Sequence, residues 1–215
     1  MGNDRKKGLC SYVEDFRKGE DILIEYHSED PVHLVFYSLL QCIRDAGKHF
    51  IIIDEVDQLH VFRSHVELAG LPTNLIDMAP VVKIGGSIET GNVVGTVDPS
   101  KELPVRKRYY EEVLQKVSPP YAIRLVVGFD KILARYEDFA REREKFFKYM
   151  IRPHLNDKSR TTIYFVNTDL VSTTAIKEFR EHATRALVVN TDGESIRLKV
   201  VKSLQPAEYG MEIKV

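Results

Sequence analysis

An α/β fold, with a mainly parallel central sheet and antiparallel strands at its C-terminal end, is predicted by three observations. Apolar runs of strand length (Ile22-Leu23-Ile24, Phe50-Ile51-Ile52-Ile53, Ile123–Val127 and Thr162–Val166) alternate with helical patterns. The runs are continuously apolar, as expected of strands covered on both faces. From about residue 185 the order changes, and strands follow one another without intervening helices.

The elements can be justified in turn. A short helix, Leu9 to Phe16, precedes Lys18-Gly19-Glu20 and the first strand. His27-Ser28-Glu29-Asp30 forms a short loop, with Asp30 as N-cap, and Pro31 opens a helix. Val32, Val35, Phe36, Leu39, Leu40 and Ile43 share one face of that helix, and Gly47 ends it. The strand at residues 50–53 ends in Asp54-Glu55; a helix from Gln58 to Ala69, capped by Asp57, stops at Gly70. Val81–Ile84 and Asn92–Val97 read as a hairpin about Gly91-Asn92. Pro104 lies in the first turn of a helix that points Tyr109, Val113 and Val117 inward and is closed by Ser118-Pro119-Pro120. The strand through Val127 is predicted to end in Asp130, which caps one long helix, Lys131 to about Arg152, with Ile132, Tyr136, Phe139, Phe146, Phe147 and Met150 inward. A helix at Ala175–His182 and strands at Ala186–Val189, Ser195–Val201 and Met211–Val215 complete the chain.

The 215 residues read as one domain, with an N-terminal extension at 1–18 and a C-terminal β extension at 185–215. An apolar fraction of 43% with 29% charged residues is that of a soluble globular protein. A net charge of −1 provides no global attraction for nucleic acid or an anionic membrane. No apolar stretch is long enough for a membrane span, and the residues after Met1 lack a signal core, so a cytoplasmic protein is expected. Gly2 is not followed by the Ser or Thr of a myristoylation signal. The two cysteines suggest no disulfide framework; Cys42 reads as a small buried hydrophobe. Interleaved Lys, Arg and Glu, with no Trp, suit a thermophile.

Ligands of such folds bind beyond the carboxyl ends of the strands. That edge gathers Tyr26–Asp30, Asp54-Glu55, Asp130 and Asn167–Asp169. A strand, loop and helix at 19–43 have the form of a phosphate-binding unit, but the loop has neither the glycines nor the lysine of G-x-x-x-x-G-K-[ST]. Such loops bind phosphate through backbone N–H groups and the helix dipole. Glu29 and Asp30 place negative charge there, at on the order of 1–4 kcal/mol each against a bound phosphate.

The order of elements resembles the RecA-like ATPase core, in particular its KaiC-type branch. The residues that carry the resemblance are Lys18-Gly19-Glu20 before the first strand, Asp54-Glu55 at the place of paired catalytic carboxylates, Asp130 after the Walker B-like strand, Thr162–Thr168 as a sensor strand, and Asp192-Gly193 through Ser203 to Ile213 as terminal strands. It looks closest to a small family of archaeal RecA-like proteins assigned as a domain of unknown function. The resemblance implies a three-layer RecA-like sandwich. Two departures stand out: the loop at 25–31 replaces the phosphate loop, and Leu204 stands where the K-x-R arginine would reach a neighbouring subunit's nucleotide. Losing both favours a non-catalytic protein that retains the scaffold.

The leading expectation is therefore a protein without cofactor, binding proteins or peptides by sheet-edge pairing and open to self-association. His27, Ser28, Glu29 and Asp30 mark the degenerate phosphate-loop position. The alternative is a metal- or nucleotide-dependent hydrolase in which Asp54 or Glu55 activates water and Asp130 holds a metal. Helix capping and solvation account for these acids more readily. The seven histidines form no H-x-x-x-H pair, and no G-x-S-x-G elbow is present. Arg106-Lys107-Arg108 beside Tyr109-Tyr110 could grip single-stranded nucleic acid, but reads better as a solvated helix face.

Overall fold

The computed structural model describes residues 6–117, 119, 121–193 and 195–215; the predicted stop at Ser118 and Pro120 and the segment before Lys6 lie outside them. Ten strands among the described residues form one sheet in the order β1-β10-β9-β8-β2-β7-β6-β3-β4-β5. They are β1 (Lys6–Gly8), β2 (Asp21–Tyr26), β3 (Phe50–Glu55), β4 (Pro80–Ile84), β5 (Asn92–Val97), β6 (Ala122–Val127), β7 (Arg160–Asn167), β8 (Arg185–Thr191), β9 (Ile196–Lys202) and β10 (Glu212–Lys214). From β8 to β5 every neighbour is parallel, whereas β9 runs antiparallel to both β8 and β10. β1, which no sequence pattern announces, pairs parallel with β10.

Helices cover both faces. Helices α1 (Leu9–Glu14), α2 (Val32–Asp45), α3 (Gln58–Leu68) and α4 (Asn74–Asp77) pack on one. There Phe36 meets Phe62 and Phe165 at ring separations of 5.3 and 5.5 Å. The predicted stripe of α2 is buried throughout, so its periodicity and its packing agree. Helices α5 (Leu103–Val117), α6 (Phe129–Leu133), α7 (Ala140–Phe146) and α8 (Thr173–His182) cover the opposite face, with Phe129, Tyr164 and Phe179 in mutual contact. The result is the three-layer sandwich expected of the resemblance.

Several local expectations are corrected. β4 and β5 are parallel, not a hairpin; the chain returns through residues 85–91 without a helix, tethered where Asp57 accepts the Ser87 and Ile88 N–H groups at 2.9 Å. The long helix after β6 is interrupted. Residues 134–136 are 3-10, Phe139 is extended and exposed, and Phe147–Ile151 form a π-helical turn. The break is set by tertiary contacts: Glu137 accepts the Ser172 N–H at 2.7 Å, and its carbonyl receives Arg143. Tyr109 faces outward on α5 and Arg106 is buried, whereas Lys107 and Arg108 lie at the surface and pair with Glu111 and Glu112, so the basic cluster is only partly the solvated face expected. Cys10 and Cys42 form a disulfide that ties α1 to α2, with Cα atoms 4.7 Å apart. No helix among the described residues is long and apolar enough to cross a membrane.

Candidate functional site

The carboxyl ends of β2, β7, β6 and β3 do bring the sequence-predicted residues to one edge, and their side chains are mostly occupied with one another. β2 ends at Tyr26, after which the chain turns through His27–Asp30 into α2. Asp30 does not cap that helix; its carboxylate accepts the His27 backbone N–H at 2.7 Å and closes the loop on itself. Asp169, just beyond β7, completes the closure. One oxygen accepts the Ser28 N–H at 2.8 Å and the other meets His27 Nδ1 at 2.9 Å. Asn167 donates to Ser28 Oγ at 3.0 Å and accepts the Asp169 N–H at 3.0 Å. Asp169 is therefore the residue that organises the loop, and no spacing rule connects it with residue 28.

The electrostatics follow this geometry. The Ser28 N–H and then the His27 ring hold the Asp169 carboxyl at about 2. The hydrogen bond to Asp169, helped by the charges of Asp30 and Glu29, raises the His27 imidazole above its ordinary value. Glu29 is exposed at the mouth of the loop.

Asp54 and Glu55 fall on opposite faces of the sheet, as neighbours in a strand must. Asp54 is fully buried beneath α3, where it accepts the Leu59 N–H at 2.8 Å and an ion pair from Lys83 at 3.2 Å. It thus does the capping that sequence assigned to Asp57. Asp57 sits at φ 61° after Val56 at φ 55°, two non-glycine residues in the left-handed region, and pairs with Lys83. Burial opposes the Asp57 charge, but Lys83 and the Ser87 and Ile88 amides outweigh it and hold the carboxyl at about 2. Glu55 points into the opposite layer; burial pushes it up to about 8 despite Arg106. The two acids cannot address one water together.

Asp130 lies within α6 rather than at the end of β6. The helix begins at Phe129, two residues before the expected Lys131, because Gly128, at φ 79°, makes the turn; an added Cβ there would collide with the Glu55 carbonyl. The Asp130 carboxyl is buried, neither oxygen reaches good hydrogen-bond geometry, and burial raises it to about 6 against the pull of the Asp130 and Asn167 backbone N–H groups. Among the described residues, no three His, Cys, Asp or Glu side chains converge in a metal-binding group. At the far end of the sheet Lys202 donates to the Arg180 and Glu181 carbonyls in the last turn of α8, at 2.6 and 2.8 Å, while Leu204 is exposed.

Comparison with known proteins agrees with this architecture. The chain belongs to the family described as "Pyrococcus protein of unknown function, DUF257", which it matches over residues 11–214. It is similar to a Pyrococcus horikoshii OT3 protein solved in a structural study, with TM-score 0.80 and 22% identity over 93% of this chain and 94% of that one. It is also similar to a KaiC-like protein from the hyperthermophilic archaeon Pyrococcus horikoshii OT3, with TM-score 0.65 and 14% identity over 98% and 92% of the two chains. At these identities the likeness is one of fold, and the fold is RecA/KaiC-like. No curated protein matches the chain significantly.

Proposed function

We propose that this member of the DUF257 family is a non-catalytic KaiC-like protein that has exchanged nucleotide binding for binding a protein or peptide. The observation that carries the reading is the occupied Ser28 amide. Where a phosphate loop offers free N–H groups, this chain presents the Asp169 carboxylate as an internal anion. Glu29 and Asp30 add negative charge at the same place, and no lysine stands in the loop. Lys202 and Leu204 support the reading from the other end of the sheet, since the first is spent on helix carbonyls and the second has no charge.

The partner would pair with an edge of the sheet. β5 is the terminal strand on one side, six residues long, with Val93 and Val94 half-buried. An extended segment can add to such an edge through backbone hydrogen bonds; a second copy of the chain is one such source. Hydrogen exchange with and without a captured partner tests this: slowed exchange confined to 92–97 supports edge pairing, and unchanged exchange there refutes it.

The second reading, a metal-dependent hydrolase, is favoured by one observation, the orphaned Asp130 carboxyl at the edge. Mg²⁺, Mn²⁺ or Zn²⁺ at millimolar concentration would then raise the melting temperature, and Asp130→Asn would abolish the rise. The non-catalytic reading expects no rise.

A further inference from the structure

On the face covered by α5 and α7, three arginines converge on one cavity that reaches from the amino-terminal half of the sheet up to Glu55 at the end of β3. Arg124 and Thr162 are cross-strand partners, and Thr162 is in turn the partner of Asp21, so a polar row crosses the amino-terminal half of the sheet. Arg160, two residues before Thr162, stands beside this row, and Arg106 descends onto the cavity from α5. The cavity measures about 40 Å³ and is also lined by Glu55, Tyr110 and Tyr164, with Met150 and Ile151 of the π-helical turn. That volume admits roughly three water-sized groups, the dimensions of a small oxyanion head. Tyr110, Arg124 and His154 also line an outer groove of about 360 Å³, together with Leu114 and Pro119.

The charges inside do not balance. Arg160 is neutralised by Asp21 at 2.6 Å, and Asp157 stands 3.7 Å from its Nε. Arg106 is 2% exposed; one nitrogen meets the Tyr136 hydroxyl at 3.3 Å, while Nε and Nη2 have no partner. Arg124 Nε and His154 Nε2 are likewise buried and unpartnered. Of the acids nearby, Asp21 and Asp157 act on Arg124 as well as on Arg160, Glu111 in the groove pairs with Lys107 at 3.4 Å, and Glu55, the acid within the cavity, has an oxygen without a donor. Burial pushes the Glu55 carboxyl up to about 8 against the pull of Arg106, which favours its protonated, donating form at neutral pH. Unmatched guanidinium groups in a dry site cost stability unless an anion completes them. π-helical turns such as the one forming this wall recur at functional sites.

We infer that the cavity between β6, β7 and α5 is a binding site for a small organic oxyanion, a carboxylate or phosphate, with its head held by Arg106 and Arg124 and its body in the groove beside Tyr110 and Leu114. Arginine forks match the planar or tetrahedral oxygens of either group. The site is independent of the closed loop at 27–31 and stands whether or not that loop binds nucleotide.

Thermal unfolding of the full chain with inorganic phosphate, acetate, benzoate or phenyl phosphate tests it, each against chloride at equal ionic strength. Saturable stabilisation by at least one oxyanion at ~10 mM is expected. Arg106→Met should melt no lower than the parent without ligand, because it removes an unmatched charge, and should weaken the response at least about tenfold. Arg124→Met, at the half-buried mouth, should weaken it similarly. Preference for the phosphates or for the carboxylates identifies the head group, and a gain from the phenyl ring places the body in the groove. Shifts no larger than chloride's, or equal shifts in parent and both variants, overturn the proposal.

Discussion

The carboxyl edge of the sheet and the arginine cavity in its α5 layer carry opposite kinds of electrostatic arrangement. At the edge, where RecA-like proteins place their phosphate site, most charges have found partners within the chain: Asp169 with Ser28 and His27, Asp57 and Asp54 with Lys83. In the cavity Arg106 and Arg124 retain buried nitrogens that nothing in the chain satisfies. An edge that has satisfied its own donors has little to offer an anion, whereas a cavity with spare donors has much. The difference teaches that a shared fold does not fix which of its regions keeps spare donors for an anion.

The comparison can be broken most severely through Asp21, the internal counter-ion of Arg160. Asp21→Ala leaves that guanidinium buried without its carboxylate and is expected to cost ~3–5 kcal/mol in denaturant unfolding; a loss under ~1 kcal/mol would mean that the cavity is wetter and less demanding than its burial implies. Outside both regions, the Cys10–Cys42 bridge closes a loop with a sequence separation of 32. Replacing both cysteines by serine should cost ~3–4 kcal/mol by the chain-entropy relation, and should leave anion responses intact.

Glu55 sharpens the comparison through pH. Its folded-state value of about 8 lies above the unfolded one near 4.5, so the folded chain holds a proton that the unfolded chain releases between them. Its contribution is fully present below the unfolded value and is lost as pH rises toward 8, at up to ~1.4 kcal/mol per pH unit. Glu55→Gln should flatten that fall, and an unchanged profile would show that Glu55 is ionised in the folded protein. The smallest effect is expected at the exposed edge, where Asp169→Ala should speed exchange of the Ser28 amide with little change in melting temperature. With its pKa raised by Asp169, His27 strengthens the same closure most at low pH and loses it as pH rises through its raised value.

Much of this fold is legible in sequence because buried parallel strands are apolar runs and the stripe of α2 repeats every three to four residues. The parallel pairing of β4 and β5 was hidden by glycines that imitate a hairpin, since the Asp57 tether that orders the return is thirty residues distant in sequence. The break near Phe139 depends on Ser172, and the disulfide on how α1 docks against α2. The carboxyl-edge acids could be gathered by topology, but their partners could not. Asp169 meets Ser28, and Asp54 rather than Asp57 takes the helix N-terminus, through contacts that no local pattern encodes. Arg124 carried a signal, a charge inside an otherwise apolar strand, whose meaning emerges only when Arg106 and Arg160 arrive beside it.

The most direct test of the closed edge is isothermal calorimetry with ATP, with and without Mg²⁺. No saturable heat is expected at ATP concentrations up to ~1 mM, apart from any binding that Arg106→Met removes, which would belong to the cavity. Micromolar binding retained in Arg106→Met and altered by Asp169→Ala would place a phosphate at residues 27–31 and contradict the closure.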